Sequence, residues 1–244
     1  MSVTAVLHSE WLKIRSIRAS FGSLIAVFAA TLAITVLVYA TVGKAELDDS
    51  EDHVFDAFYG INFAQIAAIS FGATAVSSEY ANGALRISLS AVPIRGLFYA
   101  AKTAAVAGAG LAVGLATAFA TFFAGQAFLG EDAIGLGEPG ALRACVGAGI
   151  YLALMALFAA GLTFLLRSAT GVLSLLIPFI LIVGFVVGDI AGSAADYLPD
   201  RAGQQVLHQV PEGSVGPWTG LAVTALWAAA ALLAGWQAVR RRDA

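Results

Sequence analysis

Charge is in short supply along this sequence: Asp, Glu, Lys and Arg together make up 12% of its 244 residues, about half the share of an ordinary soluble domain. Long uncharged runs recur, and with 59% hydrophobic residues the chain has far more apolar surface than a soluble core of this size can absorb. A soluble fold is excluded, and an integral membrane protein is expected. The single cysteine, Cys145, cannot form an internal disulfide, and its apolar surroundings read as packing. The three histidines fall in the amino-terminal segment (His8) and in expected loops (His53, His208), so none is placed to relay protons through the membrane. No span contains a histidine base and no G-x-S-x-G occurs, which argues against intramembrane serine proteolysis. The phosphate-binding pattern G-x-x-x-x-G-K-[ST] is missing too: Gly43-Lys44 is followed by Ala45. The chain is therefore expected not to be an enzyme and to hold no cofactor. If ATP and Mg are used, another polypeptide binds them.

What is present is an all-α pattern. Apolar runs at about residues 21–42, 58–76, 97–128, 142–166, 171–187 and 218–239 predict six transmembrane helices in a single domain, residues 1–244. The first run starts too late and runs too long for a cleaved signal peptide, so it reads as a retained span. Ahead of it, residues 2–20 predict an amphipathic helix lying in the membrane surface, with Val3, Leu7, Trp11, Ile14 and Ile17 recurring at helical spacing. Glu10, Lys13 and Arg15 lie elsewhere around its axis. Trp11 suits the headgroup zone, and Lys13, Arg15 and Arg18 suit an anionic leaflet. The third run is long enough to tilt or project, Pro178 predicts a kink in the fifth, and the four residues 167–170 predict a very tight turn between the fourth and fifth. Residues 189–217 read as a long loop that either caps the outside or dips back.

Orientation follows from counting. Six spans put ten of the 13 Lys and Arg on the side of the amino terminus but only three of the 16 acids, Glu10, Glu79 and Asp243. By the positive-inside rule both termini are then cytoplasmic, and frequent Ala with Arg in preference to Lys points to a bacterial plasma membrane. No ionisable residue is clearly placed at mid-membrane, as an ion-coupled carrier normally requires. Small-residue pairs such as Gly110–Gly114 and Gly184–Gly188–Gly192 fit bundle packing or a subunit interface. Asn62 and Gln65, one turn apart in the second span, fit either a substrate path or hydrogen bonds to neighbouring helices.

The remaining polar stretch runs from Glu79 to Lys102, in the expected cytoplasmic loop between the second and third spans. Residues 84–91 predict two helical turns, capped by Asn82 or Ser78 and ended by Pro93. Leu85 and Leu89 share one face, placed to dock in a groove, with Arg86 and Ser90 beside them. A basic loop that only fixes topology is the competing reading of the residues alone.

The spacing Glu79-x3-Gly83-x2-Arg86-x6-Pro93-x-Arg95-x6-Lys102 resembles the cytoplasmic loop of ABC-2-type permeases, the membrane subunits of one class of ATP-binding-cassette exporters. The likeness extends to Ser9-Glu10-Trp11-Leu12-Lys13 before the first span, to the Arg167 turn and to the closing Arg241-Arg242-Asp243. Ala84 departs from it, since Thr is common there in the family. The resemblance implies a coupling helix that docks in a separate ATPase, with Glu79, Gly83, Arg86, Pro93 and Arg95 as the coupling region. It also implies two ATPase subunits and a second permease copy or close paralogue, in a lipid bilayer and without nucleic acid. The function expected is export of an amphipathic substrate such as an antibiotic, a peptide or a lipid-like molecule. A non-transporting immunity or assembly module that binds a cytoplasmic partner is the alternative, and an ion-coupled secondary carrier the third reading.

Overall fold

A computed structural model describes residues 2–42, 52–130, 133–183, 192–210 and 214–242. All regular elements among them are helical. In chain order they are α1 (Val3–Ser16), α2 (Arg18–Val42), a single turn α3 (His53–Asp56), α4 (Ile61–Ser77), a 3-10 turn (Ser78–Tyr80), α5 (Ala84–Ala91), α6 (Arg95–Leu129), α7 (Ala141–Leu166), α8 (Ala169–Pro178), α9 (Pro199–Gln204) and α10 (Pro217–Arg241). Among the described residues, five helices are long and apolar enough to cross a membrane. A sixth apolar helix, Ala169–Ile182, is shorter; it runs through Pro178 into a π turn over Phe179–Val183, where the ring nitrogen lacks the N–H that an α-helix uses. The fold is that of an all-α, multi-pass membrane protein. The rest of the fifth expected span, Gly184 and Gly188, residues 44–51 of the acidic stretch 44–56, Glu131, Asp132, Glu212 and Asp243 lie outside the described residues.

The bundle is assembled around α7, which packs against α4, α6 and α10. Small residues set how closely these helices approach. A Cβ on Gly72 of α4 would lie 2.0 Å from the Ala156 carbonyl oxygen of α7, and one on Gly235 of α10 would lie 2.6 Å from that of Gly161. Backbones this close gain dispersion and carbonyl contacts that bulkier side chains would prevent. Gly110 and Gly114 of α6 also face α7, opposite Ala153 and Gly149, so this pair serves packing inside the bundle. Cys145 is buried in the same core.

At 35 residues, α6 is about 52 Å long, well beyond a hydrocarbon core of about 30 Å. Its amino-terminal turns project at the end of the bundle that holds α1 and α5, and that projection carries Lys102 to them. At the other end, residues 192–207 fold back into the bundle. Thr224 donates to the Pro199 carbonyl at 2.8 Å, and the Trp227 indole N–H donates to the Tyr197 carbonyl at 3.0 Å. Trp227 lies ten residues inside α10, about 15 Å along its axis. The described part of the long loop, residues 192–207, therefore dips back along α10 rather than capping the outside.

Candidate functional site

The loop between α4 and α6 turns through two successive left-handed residues, Asn82 (φ 52°) and Gly83 (φ 74°). Gly83 occupies the cap position of α5 with no side-chain hydrogen bond, and the Ser78 hydroxyl instead donates to the Ala75 carbonyl at 3.0 Å. Neither Asn82 nor Ser78 caps the helix, because the position that needs an acceptor falls on a glycine. The stop is as expected: the Val92 N–H bonds the Ser88 carbonyl at 2.8 Å, and Pro93 follows with no N–H to continue the ladder.

The orientation of α5 differs from the expectation. Leu85, Leu89 and Val92 form one stripe that packs on the bundle. The leucines are thus satisfied within the chain and are not the docking face. What α5 turns outward is Arg86, Ser90, Ala91 and Ile87, the last 71% exposed, with Pro93 and Ile94 just beyond. Ile87 carried no signal of its own in the sequence, since an eight-residue amphipathic helix shows two faces but not which one is covered.

Under α5 lies a cluster of four charges drawn from three elements, α1, the 3-10 turn and α6, with Ser88 of α5 bonded to it. Lys102 of α6 donates to Glu79 Oε1 at 2.6 Å and contacts Glu10 Oε2 of α1. Lys13 of α1 reaches Glu10 Oε1 at 2.8 Å, Glu79 Oε1 at 2.9 Å and Ser88 Oγ of α5 at 2.9 Å. Ser88 in turn donates to Glu79 Oε2 at 2.6 Å. Glu10, Glu79 and Lys102 are almost wholly buried, and Lys13 is one-third exposed. Two carboxylates and two ammonium groups leave no net charge, so each buried ion meets an opposite one and the desolvation cost is offset. Burial alone would pull the Lys13 ammonium below the usual lysine range; hydrogen bonds and Coulomb attraction from Glu10 and Glu79 outweigh it and hold the group above that range. Glu10 and Lys13, expected on the exposed polar face of α1, are drawn inward because Glu79 and Lys102 complete their pairing. Trp11 and Arg15 remain exposed as expected.

A charge-neutral knot of this kind ties α1, α5 and α6 to one another. The sequence model of ABC-2 family transporter proteins matches residues 6–185, which spans every member of the knot. The chain belongs to the ABC-2 transporter family. It is accordingly a permease subunit of an ABC transporter, of a family that works with ABC ATPase subunits. No curated protein and no solved structure matches the chain.

Elsewhere in the permease, arginines at this basic end cap helix carboxyl termini. Arg95 Nη1 donates to the carbonyls of Val239 at 2.8 Å and Arg242 at 3.0 Å, joining the start of α6 to the end of α10. Arg242 Nη1 donates to the Leu165 carbonyl at 2.7 Å at the end of α7, and the Arg167 guanidinium lies 5.4 Å from the centre of the Tyr80 ring. Cations in these places offset the negative ends of helix dipoles. Gln65 is buried and accepts from the Tyr151 hydroxyl of α7, while Asn62 donates to the Tyr59 carbonyl at 3.4 Å, so the polar group of Gln65 is taken up between α4 and α7.

Two polar features at the opposite end gave no clear sign in the sequence. Asp52 caps α3 through the Phe55 N–H at 2.9 Å, accepts from the Gln209 N–H at 2.8 Å and lies 3.3 Å from His208 Nδ1. Asp200 of α9 is 7% exposed, and burial pushes its carboxyl above the usual aspartate range.

Proposed function

We propose that this permease is one half of an ABC exporter, with α5 as the helix that docks in a separate ATPase subunit and the buried charge knot as the link that carries ATPase movement to α1 and α6. The observation that supports this most is the outward face of α5: a large aliphatic side chain, Ile87, stands exposed beside Arg86 on a helix whose other face is fixed to the bundle. Ile87 and, just beyond Pro93, the 65% exposed Ile94 leave an apolar surface at this polar end that a docked partner would cover. In this reading Glu79 acts from inside, through Ser88 and Lys13, while Gly83 and Pro93 set the limits of the docking helix and Arg95 ties it to α10.

Two ATPases binding ATP and Mg, and a second permease copy or a close paralogue, complete the transporter. A groove of about 610 Å³ between α2 and α4, lined by Gly22, Ser23, Ala26 and Ala30 with Ser70 opposite, supports a second permease against this side. Of the five long helices, α2 is the least buried within the chain. The missing Walker pattern supports a reading in which the partner hydrolyses ATP, and the charge asymmetry supports a cytoplasmic α5. Scarce mid-membrane charge favours an amphipathic substrate, and the resemblance to exporters favours outward movement. The test is co-expression with an ABC ATPase as a complex, followed by pull-down and ATP turnover for R86E/I87D. Loss of association with an unchanged thermal midpoint supports docking through α5; association and turnover equal to those of the parent protein refute it.

A further inference from the structure

A second groove opens between α6 and α10, about 240 Å³, lined by Gly96, Tyr99, Leu232, Leu233 and Trp236 and almost wholly apolar. Its floor is rigid. The Tyr99 hydroxyl donates to the Leu232 carbonyl at 2.6 Å, and the Tyr99 ring packs 4.5 Å from that of Phe164 and 5.3 Å from that of Trp236. The groove ends at the basic end of the bundle, where the Arg240 guanidinium stands 5.7 Å from the centre of the Trp236 ring. Counting along α10, Leu233, Trp236 and Arg240 are spaced i, i+3 and i+7, so one helix face presents an apolar slot and then, one turn further, an exposed cation. Arg241 points about 100° away from Arg240. Arg95, next in sequence to Gly96 of the groove wall, has its guanidinium held on the α10 carbonyls. Among the described residues neither Arg95 nor Arg240 pairs with a carboxylate.

We infer that this groove is a binding site for one anionic phospholipid, its phosphate on Arg240 and the start of an acyl chain along Leu233 and Trp236. An apolar slot that leads to a guanidinium with no carboxylate partner among the described residues matches a ligand with a hydrocarbon body and an anionic end. A free phosphate would leave the slot unused, and an uncharged hydrocarbon would leave the cation unused. Trp and Tyr at the junction suit the boundary between acyl chains and headgroups, and Arg95 keeps the α10 dipole from cancelling the attraction at the mouth.

The test uses the purified full-length chain, delipidated and followed by native mass spectrometry with dioleoyl phosphatidylglycerol, dioleoyl phosphatidylcholine and glycerol phosphate at low salt. Phosphatidylglycerol should be retained in preference to phosphatidylcholine, and glycerol phosphate should not compete. R240Q should reduce that preference about fivefold, the contribution of one basic residue at a membrane surface, whereas R241Q, on another face, should leave it intact. G96L, which fills the slot, should abolish retention of the lipid; where it fails to fold, R240Q against R241Q decides. Equal effects of R240Q and R241Q would show a diffuse basic surface and overturn the site. Equal retention of the two lipids, or displacement by glycerol phosphate, would overturn the assigned ligand.

Discussion

Removing Lys102 tests the charge knot most directly. Lys102 is 1% exposed and touches both Glu10 and Glu79, so K102M leaves two buried carboxylates facing the single ammonium of Lys13. Breaking a buried ion pair from one side costs about 3–5 kcal/mol, because the remaining charge loses its partner and cannot regain water. For a chain of this size that corresponds to a fall of roughly 6–20 °C in thermal midpoint. K13M should cost only about 1 kcal/mol, because one-third exposure lets water replace the lost ammonium. E79Q added to K102M removes the surplus carboxylate, and the double variant should be more stable than the sum of the single losses predicts, by about 2 kcal/mol. Scanning fluorimetry of the purified chain in detergent reads all four proteins. Equal, small shifts for K102M and K13M, or strict additivity of K102M and E79Q, would refute the view that these residues form one buried, mutually neutralising unit.

Other outcomes follow from single contacts. Gly72→Ala drives a methyl group to 2.0 Å from the Ala156 carbonyl and should cost about 3 kcal/mol or prevent monodisperse purification, while Gly108→Ala, with nothing within 4 Å, should be neutral or stabilising by up to about 1 kcal/mol. Gly83→Val forces a β-branched residue to φ 74° and should cost about 1–2 kcal/mol, read as a lower thermal midpoint. The raised folded-state value of the Asp200 carboxyl means that ionisation opposes folding. The parent protein should therefore lose stability as pH rises from the ordinary aspartate range through that raised value, and D200N should not. Thermal midpoints taken from about pH 4 to about pH 8 should meet at the acid end and then separate with D200N above the parent protein; parallel curves would remove Asp200 as the cause.

Much of this permease was written plainly in its sequence. Apolar length placed the long helices to within a few residues, since a helix crossing about 30 Å of hydrocarbon cannot be short or charged. Pro93 bounded the end of α5, because a missing N–H acts locally whatever surrounds it, whereas its start fell on Gly83 instead of on a cap at Asn82 or Ser78. Periodicity likewise assigned Leu85 and Leu89 to one face and Arg86 and Ser90 to its flank. Tertiary structure decided which face is covered, and that choice exposed Ile87 instead of the leucines. The fifth apolar helix showed a similar limit: composition announced a span, but Pro178 and the π turn shortened its regular α-helical part.

The charge knot shows most clearly what the sequence determined and what it left to packing. Sequence alone provided Glu10, Lys13, Glu79 and Lys102, rare charges at the margins of apolar helices, and it named Glu10, Lys13 and Glu79 as residues of interest. It could not show that Glu10 and Lys102, 92 positions apart, share a buried site, since no local periodicity relates α1 to α6. Nor could it show that Gln65 turns to Tyr151 or that residues 192–207 fold back on α10. Helices that are apolar on every side carry little record of which side faces a neighbour. Close approach at glycines and the need of each buried charge for an opposite one settle those contacts, and both arise only when the helices meet.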